Sequence, residues 1–287
     1  MFNSCYVKKR DYFPINKLPP GTVKVDDNFF YDETEVRNLD WREYQYWTSD
    51  VYGEDSEEYK RTIPDTTVWF SQDTAFSGLF LKHPAYEQYP VVGISQEQAI
   101  EYTKWRTDIV FQLMLLRLGI LEGTFILPTK DICTVERYFN DSCDCVLGSI
   151  KLTGYYEYSL PTIEEYRQAL AYSDSCHIHR LSKCWNKECK QCLENYPEFI
   201  SKELFPIDSL RFYIMAPVRA GCIPYKKQVI VNLRGNVGEW SSIENITFGG
   251  SWLDSRDTII KVDTFRIEGV NKWTGYRNVC RWKEWEK

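Results

Sequence analysis

The feature that most constrains this chain is its aromatic content. It carries 10 Trp, 20 Tyr and 15 Phe, 16 % of all residues, spread from Phe2 to Trp285. Indole N–H and phenol O–H groups need polar partners as well as apolar contacts. A chain filled this way favours irregular, loop-rich packing over clean aliphatic layers. Two glycine-centred polar loops, VNLRGNVGEW (231–240) and FGGSWLDSRDT (248–258), stand close together within it. At 287 residues the length suits one large domain or two small ones, with ample surface to bury.

Charge and hydropathy exclude several classes. The formal net charge is −6 and the only basic patch is local, His177 to Lys190, so nothing argues for binding nucleic acid. The most apolar run, IVFQLMLLRLGIL (109–121), is broken by Gln112 and Arg117. It is shorter than the roughly twenty residues a membrane span needs, and predicts a buried helix. The N-terminus as written has no apolar signal core. MFNSCY nevertheless places Cys5 as at the end of a bacterial lipoprotein signal, so Cys5 is either an acylation site or a free cysteine in a frayed terminus.

Ten cysteines suggest an oxidising compartment and disulfides, whose pairing spacing alone does not give. In CHIHRLSKCWNKECKQC (176–192), Cys176, Cys184, Cys189 and Cys192 could supply four tetrahedral zinc ligands. Only the last C-x-x-C has the usual knuckle spacing, and disulfides pinning an inserted loop are the competing reading.

Along the chain, 1–20 is a polar, proline-punctuated arm and 21–287 reads as one continuous domain. GTVKVDDNFFYDETEV alternates as a strand or hairpin. Asn38 fits a helix cap before LDWREYQYW, whose Trp41, Tyr44 and Trp47 share one face. Residues 50–92 read as a long aromatic insertion with short strands, and 173–195 as a cysteine-rich insertion. Ser95 with Gln98, and Thr162 with Glu165, write capping boxes. Behind the first, Ala99, Tyr102, Ile109, Leu113 and Leu116 form an apolar stripe, and Gly119 suits the stop. Beyond Asp208, short strands alternate with turns. The class is α+β, a few helices on short twisted strands.

Six motifs occur in order: DETEVRN (32–38), YPVVGISQEQAIEYTKW (89–105), LPTIEEYRQA (160–169), NLRGNVGEW (232–240), FGGSW (248–252) and GYR (275–277). Together they resemble the formylglycine-generating-enzyme, or sulfatase-modifying-factor, family, whose fold is related to C-type lectin domains. The resemblance covers about residues 20–282. PDTTVW (64–69), HPAYEQYPVVG (83–93) and Trp105-Arg106-Thr107 are most similar to the gliding-motility lipoproteins of the type IX secretion system in Bacteroidota.

The resemblance implies a test that the residues fail. Catalytic members carry two cysteines shortly after the GGS-aromatic element, whose thiolates bind copper(I) and oxidise a substrate cysteine. Copper(I) prefers soft sulfur. The matching positions here are Asp254 and Ile259, and Cys280 falls at another spacing. The histidine-dependent iron branch fares no better with only His83, His177 and His179. No copper is expected. The resemblance also implies a calcium loop, N-x-x-G-N-x-x-E-W, with Asn232, Gly235, Val237 and Glu239 in the ligand positions. Calcium accepts neutral carbonyls beside one carboxylate. The competing reading is a structural turn with Glu239 capping backbone amides.

Three functions follow. The first is a catalytically inactive, partner-binding lipoprotein or scaffold component of a secretion or gliding apparatus. It would sit in the periplasm or on the outer membrane, touching the membrane only through a lipid anchor. The second is an enzyme with a repurposed pocket, using Asp254, Arg256 and Asp257 with Glu239, against which stands a solvated turn with a local ion pair. The third is a lectin-like receptor binding ligand through loops 248–275.

Overall fold

The computed structural model describes residues 18–70, 74–123, 126, 128–143, 146–147, 151–181 and 230–286, with the backbone alone at 74–76 and 176–181. The architecture is α+β and loop-rich, with helices packed on two small sheets. The alternating segment after Gly21 forms the predicted hairpin, β1 (Thr22–Asp26) and β2 (Phe29–Asp32). Helices α1 (Asn38–Tyr52), α2 (Glu57–Arg61), α3 (Thr74–Leu79), α4 (Gln96–Arg117) and α5 (Val135–Phe139) follow. Then come β3 (Gly154–Ser159), α6 (Ile163–Leu181), β4 (Gly238–Trp240), β5 (Ile246–Phe248), α7 (Arg256–Lys261), β6 (Thr264–Arg266), β7 (Thr274–Gly275) and β8 (Val279–Glu284).

Strands pair in the order β1-β2-β8-β3 in the first sheet and β6-β5-β4-β7 in the second. The first is antiparallel throughout, with β8 between the N-terminal hairpin and β3. In the second, β7 runs parallel to β4, with Glu239 opposite Gly275. Residues 276–278 carry the chain from β7 to β8, from one sheet to the other. That crossing makes Arg277 a joint between the sheets.

Both expected capping boxes are present. Ser95 Oγ accepts the Gln98 N–H at 3.2 Å while Gln98 Oε1 accepts the Ser95 N–H at 2.8 Å. Glu165 Oε2 accepts the Thr162 N–H at 2.6 Å. Gly119 takes φ 70° at the end of α4, a left-handed conformation glycine adopts without strain.

Three expectations need correction. The cap of α1 is Arg37, with Asp40 accepting its backbone N–H at 3.0 Å. Asn38 is buried inside the first turn and donates to the carbonyls of Phe80 and Tyr86 at 2.8 and 2.9 Å. Within 50–92 the described residues form short helices and helical turns, 66–69 and 84–86 among them, rather than strands. Pro64 and Pro84 break the pattern into pieces too short to ladder. The buried face of α4 is Ala99, Tyr102, Thr103, Thr107, Phe111 and Leu115, so the apolar stripe drifts off the core where Ile109 and Leu113 are half-buried. Thr107 is inside because its Oγ accepts the Tyr158 N–H at 2.9 Å, locking α4 to β3.

The aromatic residues do what their composition demands, in part. Trp41 stacks on Tyr102 with ring centroids 5.6 Å apart and donates its indole N–H to the Thr62 carbonyl at 2.8 Å. Trp240 donates to Ile94 O at 3.1 Å. The 50–92 segment is thus a packed wrap, held to α1 by Trp41 and Asn38. Cys133 and Cys143 form a disulfide closing the loop around α5.

Candidate functional site

The two glycine loops meet. The Gly235 N–H donates to Gly249 O at 2.9 Å, and the Trp252 N–H donates to Asn236 O at 2.8 Å. Both loops turn through left-handed backbone: φ is 56°, 75° and 60° at Asn232, Gly235 and Asn236, and 83° and 64° at Gly249 and Gly250. Asparagine tolerates that region better than most residues. At Gly249 nothing else fits, since a Cβ would lie 2.6 Å from the Leu233 carbonyl oxygen.

Behind this junction lies a buried polar centre. Arg277, Glu35 and Glu239 are each fully buried. Arg277 Nε donates to Glu239 Oε1 at 2.6 Å, and another of its nitrogens lies 3.7 Å from Glu35 Oε2. The guanidinium also donates to Val231 O at 2.8 Å and to Asp32 O at 3.3 Å. Asn236 Nδ2 donates to Glu35 Oε1 at 2.7 Å, and Asn232 Nδ2 reaches Glu35 Oε2 at 3.5 Å. The centre draws one residue or more from β4, the 231–237 loop, the segment after β2 and the β7–β8 joint. Glu239 therefore faces a guanidinium rather than capping backbone amides.

One guanidinium cannot neutralise two buried carboxylates. Burial works against the charge of Arg277, but Glu239 and Glu35 outweigh it and hold the side chain charged beyond the ordinary arginine range. Burial lifts Glu239 to about 8, with Arg277 pulling it down and Glu35 pushing it up. Glu35 is raised for the same first reason. Both acids are pushed up because burial disfavours a second negative charge beside the single guanidinium.

Two oxygens of this centre are left over. Asn232 Oδ1 and Glu239 Oε2 are buried without a hydrogen-bond partner among the described residues. Such orphans carry a desolvation cost of about 1–3 kcal/mol each. Both are hard oxygen donors of the type calcium takes, and the surplus negative charge favours a cation. The side chains of the expected set fit a calcium ion on those grounds. Among the described residues no three His, Cys, Asp or Glu side chains group as a metal site, and a carbonyl-rich loop with one carboxylate is of a different make.

The turn after FGGSW is occupied by ordinary structural work. Asp254 Oδ2 accepts the Ser251 N–H and the Ser251 hydroxyl, both at 2.8 Å. Ser255 caps α7, accepting the Thr258 N–H at 3.2 Å. Ile259 is buried under Gly250, where a Cβ would come within 2.7 Å of its Cγ1. Asp254 and Glu239 share no hydrogen-bond partner: one serves Ser251, the other Arg277. Cys280 is buried on β8 among Phe30, Tyr156 and Tyr158, with burial pushing its thiol well above the usual range. A thiol so placed stays protonated and is a poor metal ligand.

Other expectations lie outside the described residues: Cys5, the arm through residue 17, and Cys184, Cys189 and Cys192, with the side chain of Cys176. Residues 173–181 of the cysteine-rich stretch continue α6. Sequence reasoning passed over Glu35, Asn236 and Arg277 as site residues, although each lies inside a quoted motif. The available signal was their company, since a charged residue in an apolar-flanked motif implies a buried partner.

A solved structure described as "Crystal Structure of CarF" is similar at 13 % identity over 91 % of this chain and 92 % of that one, with a TM-score of 0.38. That overlap is too loose to bear on function. No curated protein matches the sequence significantly. The family model described as "Sulfatase-modifying factor enzyme 1-like domain" matches residues 5–279. Nearly the whole chain lies within that match, and it belongs to the sulfatase-modifying-factor family.

Proposed function

We propose that this chain is a non-catalytic, partner-binding member of its family. The observation carrying this reading is the pair Asp254 and Ile259 in the positions where the resemblance expects copper-binding cysteines. A carboxylate is a hard, weak ligand for copper(I), and an alkyl side chain is none. Both side chains are committed elsewhere, Asp254 to Ser251 and Ile259 to the space beneath Gly250. Copper(I) would supply the oxidising centre in a catalytic relative; here the residues do not fit it.

The finer reading is a lipoprotein of a secretion or gliding assembly, anchored through Cys5 and exposed to the periplasm. Its support is the likeness of 64–69, 83–93 and 105–107 to such proteins and the position of Cys5. The exposed Tyr46, Tyr52 and Phe70 offer contact surface, as aromatic residues dominate binding hot spots. Calcium in this reading is structural. Asn232 and Glu239, with the carbonyls of Gly235 and Val237, would hold it and so neutralise the surplus charge of the buried centre.

Co-purification from native membranes in mild detergent tests the proposal. Stable protein partners are expected, together with an acyl mass on the N-terminal fragment. A chain recovered alone, unacylated and monomeric would count against it.

A further inference from the structure

Residue 234 of the first glycine loop is an arginine, set between two of the positions that would hold calcium, Asn232 and Gly235. A cationic side chain there works against a cation site. Like charges repel, and a loop with a single carboxylate has little negative charge to set against them. The fold answers this from outside the loop.

Helix α6 lies along the loop and bonds it at three points. The Tyr166 hydroxyl donates to Leu233 O at 2.8 Å, and the Ser173 hydroxyl donates to Ile230 O at 3.3 Å. Arg234 donates to both carboxylate oxygens of Asp174, at 2.7 and 2.8 Å. Tyr166 and Ser173 stand about two helical turns apart, so they share one side of α6 and Asp174 follows directly. Between them Ala169 packs in one buried cluster with Ile230 and Leu233.

The first two bonds are buried and fix the backbone on either side of Asn232. The third is of another kind. The Arg234 side chain is 24 % exposed and that of Asp174 46 %, so solvent screens the pair and it adds little to stability. Two parallel bonds nonetheless fix the direction of the guanidinium, and the carboxylate cancels its charge.

We infer that Asp174 is a positioning residue for calcium: it holds the Arg234 guanidinium against α6 and neutralises it, and so sets the affinity of Asn232, Gly235, Val237 and Glu239 for the ion. The inference rests on reading 231–239 as a calcium loop, and adds to it a control point on a helix that supplies no ligand. By reciprocity, calcium in the loop strengthens the hold on α6.

Calorimetric titration of the full chain with calcium chloride tests it. The unaltered chain is expected to bind calcium saturably. Asp174→Asn keeps the size of the side chain and removes its charge, and is expected to weaken binding about fivefold. The melting temperature of the calcium-free chain should stay unchanged. Asp174→Glu keeps the charge and should bind within about twofold of the unaltered chain. Removing both charges separates electrostatics from packing. Asp174→Asn combined with Arg234→Gln should also return to within about twofold, because no guanidinium is left to repel the ion. Hydrogen exchange supplies a second readout: calcium should slow the amides of 166–175 in the unaltered chain and slow them less in Asp174→Asn. Unchanged affinity in Asp174→Asn would overturn the inference and leave the calcium reading standing. So would a double variant as weak as Asp174→Asn alone, or exchange that calcium slows equally in both chains. An unaltered chain that shows no saturable binding would remove the calcium reading and this inference with it.

Discussion

The buried centre around Arg277 and the turn after FGGSW are bonded neighbours built in opposite ways. In the centre, charged and amide side chains from four parts of the chain answer one another, and no member can be changed without stranding another. In the turn, the backbone needs its two glycines, while Asp254 bonds its neighbour Ser251 and Ile259 packs beneath Gly250. The comparison teaches how differently two adjoining segments are tied into the fold. The motifs DETEVRN, NLRGNVGEW and GYR supply Glu35, Glu239 and Arg277, which meet at the joint between the two sheets.

The contrast can be broken most forcefully at Arg277. Arg277→Met should cost about 3–5 kcal/mol, because it leaves Glu35 and Glu239 buried without their guanidinium. Urea denaturation measures it, and a loss under 1 kcal/mol would mean that the centre is not what joins the sheets. The turn's backbone comes next. Gly249→Ala should cost about 1–3 kcal/mol, since alanine at φ 83° is strained and its Cβ meets Leu233 O at 2.6 Å.

The surplus acid sharpens the comparison through pH. Glu239 is raised to about 8 in the folded chain, so the native state holds a proton there that the unfolded chain releases near the ordinary carboxylate range. Its contribution is fully present below that range and is lost as pH rises through about 8. In calcium-free buffer, stability should fall across that interval, and Glu239→Gln should flatten the fall. Calcium must displace the same proton, so its apparent affinity should rise by up to about tenfold per pH unit below 8 and level off above. Calcium binding followed by calorimetry from pH 6 to 9 checks the sign; affinity that rises as pH falls would remove Glu239 from the site. Smallest is Asp254→Ala, expected to cost about 1 kcal/mol for its lost hydrogen bonds to Ser251. A thermal melt that moved as far as that of Arg277→Met would erase the distinction between centre and turn.

Much of this fold was legible in advance because local signals agreed with it. Ser95-Gln98 and Thr162-Glu165 begin helices as written, and the alternation after Gly21 makes its hairpin. The departures have one origin, long-range bonds that local pattern cannot carry. Asn38 has the chemistry of a cap but is taken inside by two carbonyls more than forty residues away. Thr107 is polar yet buried, because β3 needs its hydroxyl. At the candidate site, position 239 was readable as an acid in a turn. That its partner would be Arg277 was not, because the two lie 38 residues apart and meet only through the crossing from β7 to β8.

The most direct measurement is oxygen uptake by the purified chain with copper(I) and a cysteine-containing peptide, the peptide's mass being followed in parallel. The account predicts uptake no faster than in the protein-free control and a cysteine that is not converted to an aldehyde. Sustained turnover of the thiol that requires the folded chain would contradict it, whichever atoms then proved to hold the metal.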